Sequence, residues 1–88
     1  MDIIKRAFAG TMESSDVYVE VEPADGLQIQ VESVVFAQFG EAIRETVTDV
    51  LREQGVDNAA VRLTDRGALE CVIRARVETA ILRGRENA

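Results

Sequence analysis

The stretch Val17-Tyr18-Val19-Glu20-Val21-Glu22-Pro23-Ala24-Asp25-Gly26-Leu27-Gln28-Ile29-Gln30-Val31-Glu32 decides the fold. Its opening run sets Val17, Val19 and Val21 on one side and Tyr18, Glu20 and Glu22 on the other. Successive side chains of a strand point to opposite faces, so this is a half-buried strand. Leu27, Ile29 and Val31 alternate in the same way against Gln28, Gln30 and Glu32. Between the runs, Pro23-Ala24-Asp25-Gly26 is a strong turn signal. The two runs read as an antiparallel hairpin.

Downstream, the period changes from two to 3.6. Ser33 can cap a helix over residues 34–54, with Phe36, Phe39, Ile43, Val47, Val50 and Leu51 on its apolar face. Glu41, Glu45, Asp49 and Arg52 lie opposite, and Gly55 is suited to the left-handed stop. Residues 59–63 read as a short strand, and Thr64-Asp65-Arg66-Gly67 as a turn with a cap candidate. A second helix follows over residues 68–83, with Leu69, Val72, Ile73, Val77, Ala80 and Ile81 as its main apolar residues. Its narrow polar stripe, Glu70-Arg74-Glu78, has the spacing and alternating sign of an exposed charge ladder. A helix this apolar needs cover on more than one side, and another subunit can supply part of it.

Upstream, residues 7–12 form a third candidate strand. Joined to Val17 through Glu13-Ser14-Ser15-Asp16, it makes a second hairpin with the serines at its tip. The alternative is a short amphipathic helix carrying Ile3, Ile4, Ala7 and Phe8, which Gly10 would limit. The whole is an α+β chain: an antiparallel hairpin or meander, then helix, strand and helix, with two helices on one face of a small sheet. If the last strand pairs in parallel with its predecessor, the crossover is right-handed. Residues 1–88 form a single domain, with residues 84–88 as a frayed tail.

The chain has 88 residues and a formal net charge of −6. That opposes binding to nucleic-acid phosphates and suits docking on basic protein surfaces. Residues 1–60 carry −8 and residues 61–88 carry +2. This is either an ordinary solvated surface or an acidic face near the serines that meets partner enzymes. Cys71 is the only cysteine, so no internal disulfide forms. There is no signal peptide and no membrane-spanning run, which makes a cytoplasmic protein the expectation.

Catalytic chemistry has little to work with. The chain has no histidine, so no metal site or catalytic residue is assigned. A serine hydroxyl is a poor nucleophile without a base beside it. Ser14 is therefore an acceptor for a group that another enzyme attaches, or simply part of a turn. Arg76 projects into the apolar face of the second helix, and a guanidinium there needs an acid or a path to water. It forms an ion pair with Asp65 or Asp16, snorkels, or contacts phosphates of an attached group. Cys71 reads as small-hydrophobe packing.

Gly10-Thr11-Met12-Glu13-Ser14-Ser15-Asp16 resembles the motif Gly-Thr-(apolar)-Glu-Ser-Gly-Asp of citrate lyase acyl carrier subunits. The resemblance extends over residues 7–83. It includes Gln38-Phe39-Gly40-Glu41-Ala42-Ile43-Arg44 and Gly67-Ala68-Leu69-Glu70-Cys71-Val72-Ile73-Arg74-Ala75-Arg76-Val77-Glu78. Malonate decarboxylase carriers, with Ser-Gly-Asp and Arg-x-Arg-x-Glu, are a more distant match. The resemblance implies a non-catalytic carrier with phosphoribosyl-dephospho-coenzyme A joined to Ser14 by a phosphodiester. Its thiol would carry acetyl and citryl groups between the citrate lyase alpha and beta subunits after a prosthetic-group transferase attaches it. The departure is Ser15 where the family has glycine. Glycine turns left-handed cheaply and serine does not, so a wider loop is expected, and Ser15 becomes a rival attachment point. Lys5, the only lysine, lies outside any hairpin, and no Asp-Ser-Leu is present. Lipoyl, biotinyl and fatty-acid carriers therefore fit poorly. A malonate-decarboxylase-type carrier and an unmodified acidic interaction module are the alternatives.

Overall fold

The computed structural model describes residues 2–33 and 36–86. The elements are β1 (Ala7–Gly10), β2 (Val17–Glu22), β3 (Leu27–Ser33), α1 (Phe36–Glu53), β4 (Ala59–Asp65) and α2 (Glu70–Gly84). The order of elements is the one the periodicity predicts, and residues 7–10 are strand rather than helix. The start expected for α1 at residues 34 and 35, and the Phe36 side chain, lie outside the described set.

The pairing differs from expectation at one place. The sheet runs β1-β2-β4-β3, so β4 separates the two strands read as a hairpin. β2 pairs antiparallel with β1 and β4, whereas β3 pairs only with β4, in parallel. The cause lies in what each strand can bury. Ala59, Val61, Leu63 and Asp65 are all buried, which suits β4 to the interior, whereas Leu27 at the start of β3 is exposed. Residues 23–26 do not close a tight turn. Gly26 instead ties to the start of β4, its N–H donating to Asn58 Oδ1 at 2.8 Å and its carbonyl accepting from Ala59 N–H at 2.9 Å.

One sheet face carries three cross-strand rows: Ala7-Val21-Val61-Ile29, Ala9-Val19-Leu63-Val31 and Val17-Asp65-Ser33. α2 covers β1 and β2, α1 lies against β3, and the helices pack on each other. Ile43, Val47, Val50 and Leu51 of α1 and Ile73, Val77, Ala80 and Ile81 of α2 complete the core. Each of the valine, leucine and isoleucine side chains among them contributes about 1.5–3 kcal/mol by leaving water. The other sheet face stays polar and open, with an Arg6–Glu20 ion pair and Phe8 stacked on Tyr18.

Several local readings change. Phe39, placed on the buried face, is exposed, and Cys71 is exposed rather than packed. Arg74 makes its direct ion pair across to Glu53 of α1, with Glu70 and Glu78 of its own helix acting on it only as nearby charges. Ser33 ends β3 and donates its hydroxyl to Asp65, and the helix start it was expected to cap lies outside the described residues. Gly84, expected to open a frayed tail, is buried. A Cβ there would lie 3.0 Å from Val21 and 3.1 Å from Ile3, and its carbonyl accepts from the N–H groups of Ile4 and Lys5. The outward side of α2 presents Cys71, Ala75 and Leu82 to solvent.

The sheet edges are also tended by the helices. Arg44 of α1 donates to the Ile29 carbonyl of β3 at 2.6 Å, and Arg83 of α2 donates to the Phe8 carbonyl of β1 at 2.8 Å.

This topology makes β4 an interior strand and β3 an edge. In native-state hydrogen exchange, the amides of Val61 and Leu63 are expected to open only with global unfolding, while β3 retains unprotected amides. Fast exchange throughout β4 with full protection of β3 would instead support the hairpin order.

Candidate functional site

The serine loop lies where three connections meet. Val17 pairs with Asp65, and Asp65 pairs with Ser33, so residues 11–16, the β4–α2 connection and the approach to α1 share one end of the sheet. Gly10 starts the loop with φ +90°, and a Cβ there would sit 1.8 Å from the Val17 carbonyl oxygen. Only glycine fits, because the obstacle is backbone rather than a flexible side chain.

Glu13-Ser14-Ser15-Asp16 then forms a tight turn, with Asp16 N–H donating to the Glu13 carbonyl at 3.2 Å. Ser15 occupies its third position with φ +66°. That is the place where turns of this hand favour glycine. The serine takes the left-handed conformation itself, within a four-residue turn. Two further bonds hold it there, Ser15 N–H to the Arg66 carbonyl at 2.8 Å and Arg66 N–H to the Asp16 carbonyl at 2.9 Å. They continue the β2–β4 ladder past its last pair. Ser14 and Ser15 are both exposed.

Asp16 fastens the loop to the rest of the domain. Its Oδ2 accepts from Thr11 Oγ1 at 2.7 Å and from Arg76 Nη2 at 3.1 Å. Its Oδ1 accepts from Val17 N–H at 2.7 Å and from Arg76 Nε at 3.1 Å. Thr11 Oγ1 in turn accepts from Glu13 N–H at 3.2 Å. The Thr11 hydroxyl, the Val17 amide and then the Arg76 guanidinium lower the Asp16 pKa to about 2. Of the two acids anticipated for Arg76, the structure selects Asp16. Asp65 is instead buried between Ser33 Oγ, at 2.8 Å, and Ala68 N–H, at 2.9 Å. Thr11 was the component that residue-by-residue reasoning passed over. Its signal was the side-chain oxygen at each end of the loop, Thr11 and Asp16, able to close on each other.

This arrangement presents a hydroxyl without activating it. Asp16 is the acid closest in sequence to the serines on the strand side, and both its oxygens are committed to other donors. A carboxylate with so low a pKa is a weak base at neutral pH. Ser14 is accessible at the head of a fixed turn, and Asp16 has no free oxygen with which to accept its proton.

Curated relatives match almost end to end. The citrate lyase acyl carrier protein of Pectobacterium atrosepticum is 51% identical over 84 residues, covering 94% of this chain and 88% of the relative. That of Haemophilus influenzae is 53% identical over 83 residues, covering 94% and 87%. The chain belongs to the citrate lyase acyl carrier protein family. The family model described as "ACP: Malonate decarboxylase delta subunit (MdcD)" matches residues 4–84 of this acyl carrier. A chain in the crystal structure of a Pseudomonas malonate decarboxylase hetero-tetramer in complex with malonate superposes with a TM-score of 0.75. It is 25% identical, and the match covers 90% of this chain and 82% of that one. This protein is thus an acyl carrier, a non-catalytic subunit of a larger assembly. Among its described residues, no helix is long and apolar enough to cross a membrane.

Two measurements check the loop. Followed by NMR, the Asp16 carboxyl should titrate near pH 2. Because the folded pKa is depressed, its contribution to stability is complete above about pH 4 and is lost as pH falls toward 2. In Arg76→Met the same carboxyl should titrate higher. In denaturant unfolding, Ser15→Gly should gain about 0.5 kcal/mol or more, since relief of a left-handed cost of about 1–2 kcal/mol outweighs glycine's added chain entropy of about 0.4–1 kcal/mol. Gly10→Ala should lose about 2–4 kcal/mol.

Proposed function

We propose that this chain is the acyl carrier of a citrate lyase and that Ser14 is its attachment residue. The observation that carries the site is the exposed Ser14 hydroxyl on a turn held at both ends by Asp16 and Arg66. The choice of citrate lyase rests on relatives about 50% identical that bear that name. The group proposed is phosphoribosyl-dephospho-coenzyme A, as the motif around Ser14 implies. When bound, it supplies a flexible arm ending in a thiol on which acetyl and citryl are carried as thioesters. The alpha and beta subunits of the complex are the proposed sites of acyl exchange and citryl cleavage.

The residues fit such a group. A phosphodiester needs an oxygen that an incoming phosphorus can approach, and Ser14 is exposed. Forming the bond requires removal of the hydroxyl proton and departure of a phosphoanhydride leaving group. With Asp16 saturated, the base belongs to the transferase. Arg76 turns toward Asp16 and holds the loop through its Nε and Nη2. Ser15 spends its backbone on the left-handed turn, and its N–H on Arg66. The motif favours Ser14 as the acceptor, since Ser15 stands at the position the family fills with glycine, and the left-handed φ of Ser15 agrees with that placement.

A second reading, a carrier for malonate decarboxylase, draws on the matching family model and the superposed hetero-tetramer. The two are separated by which thioester the loaded protein accepts.

Intact mass after co-production with the transferase and its precursor tests the proposal. The expected result is one phosphoribosyl-dephospho-coenzyme A adduct on Ser14, absent from Ser14→Ala and retained in Ser15→Ala. An adduct on Ser14→Ala would move the site. No adduct on the unaltered chain, with transferase and precursor shown to be active, would favour an unmodified interaction module.

A further inference from the structure

The end that carries Ser14 also carries three exposed apolar side chains on three separate segments. Met12 in the loop, Phe39 in the first turns of α1 and Leu69 before α2 are 51%, 53% and 71% exposed. Scattered exposed hydrophobes mean little, and Ile4, Phe8, Leu27 and Leu82 are of that kind. The three at the serine end differ because they lie on the three segments that converge at the Ser14 end of the sheet, and one of them, Phe39, also lines a cleft. Phe39, Ala68, Ile73 and Glu70 line an open cleft of about 170 Å³ between the helices, with Asp65 and Thr46 beneath.

Leu69 adds an independent observation. It is the N-cap of α2, with extended backbone at φ −69° and ψ 157°, and no side chain caps the helix. N-caps favour Ser, Thr, Asp or Asn, whose oxygen satisfies an orphan N–H, and leucine is among the poorest choices. This chain therefore forgoes helix stability at a position where the leucine gains no burial of its own. A local rule broken without compensation inside the chain points to a requirement outside it.

We propose that Leu69, Phe39 and Met12 form the docking surface for the transferase that modifies Ser14, an inference that rests on the carrier reading above. The geometry favours this partner over the catalytic subunits. A catalytic subunit is reached through the long arm, whereas the transferase must bring phosphorus to bonding distance of the Ser14 hydroxyl. Its body must therefore close over this end of the sheet. Charge agrees with that choice. Glu13, Glu32 and Glu70 are exposed at this end, against an exposed Arg66 and an Arg76 already paired with Asp16. An enzyme that binds a polyphosphate donor presents basic groups around its active site. The matching face is an apolar hollow for Leu69 and Phe39 with a basic rim.

The N-cap supplies a test in which stability and recognition move in opposite directions. Apo carrier, purified transferase and the activated precursor are combined, and adduct formation is followed by intact mass. Leu69→Ser should raise the Tm by about 4 °C or more. It should also lower kcat/KM for modification at least tenfold, mainly through KM. Phe39→Ser should lower kcat/KM similarly at an unchanged Tm, and Leu82→Ser at the far end of α2 should leave it unaltered. Raising salt should increase KM for the unaltered chain. Unchanged modification of both Leu69→Ser and Phe39→Ser overturns the docking surface while the carrier reading stands. A lower Tm for Leu69→Ser overturns the argument from the cap. Absence of any adduct on the unaltered chain is the failure of the carrier reading itself.

Discussion

Asp16 is the constraint on which the functional end depends. One carboxylate takes donors from the loop, from the start of β2 and from α2. Thr11 closes the loop on itself, Val17 joins it to the sheet, and Arg76 joins it to the helix layer. A hairpin tip of this length, left alone, would sample many conformations at little cost. Saturating both carboxylate oxygens removes that freedom, and the paired guanidinium makes each bond charge-assisted. The same saturation leaves the acid chemically idle. Rigidity and inertness at this site have one cause.

Most elements were legible because their periods are clean. The valines at 17, 19 and 21, and the spacing of Ile43, Val47, Val50 and Leu51, each admit one reading. The pairing of β2 with β3 was not legible. Asp25-Gly26 has the chemistry of a tight turn, and adjacent strands usually pair. What overrides it is a distant strand: β4 is buried along its helix-facing side and needs a neighbour on each edge. No local signal in residues 17–32 reports that demand. Phe39 was misread for a related reason, since a helical stripe fixes a direction but not how far the neighbouring helix extends to cover it.

The site was partly legible in the same way. The Ser14 motif and the need of Arg76 for an acid follow from residue types alone. The choice between Asp16 and Asp65 depends on register, because pairing with Val17 places Asp65 on the buried face, where Ser33 and the Ala68 amide satisfy it. The left-handed Ser15 was legible only as a conflict between residue and turn. The chain resolves it by anchoring the turn to Arg66 rather than by loosening it.

Both outer strands of the sheet have an arginine laid across a carbonyl, Arg44 on Ile29 and Arg83 on Phe8. An uncovered strand edge is a template for another chain's backbone, and such pairing is cooperative and slow to come apart. A carrier within a larger assembly gains from contacts that do not become a permanent shared sheet. With one outward carbonyl already occupied on each flank, annealing of another strand is disfavoured on both sides of this carrier.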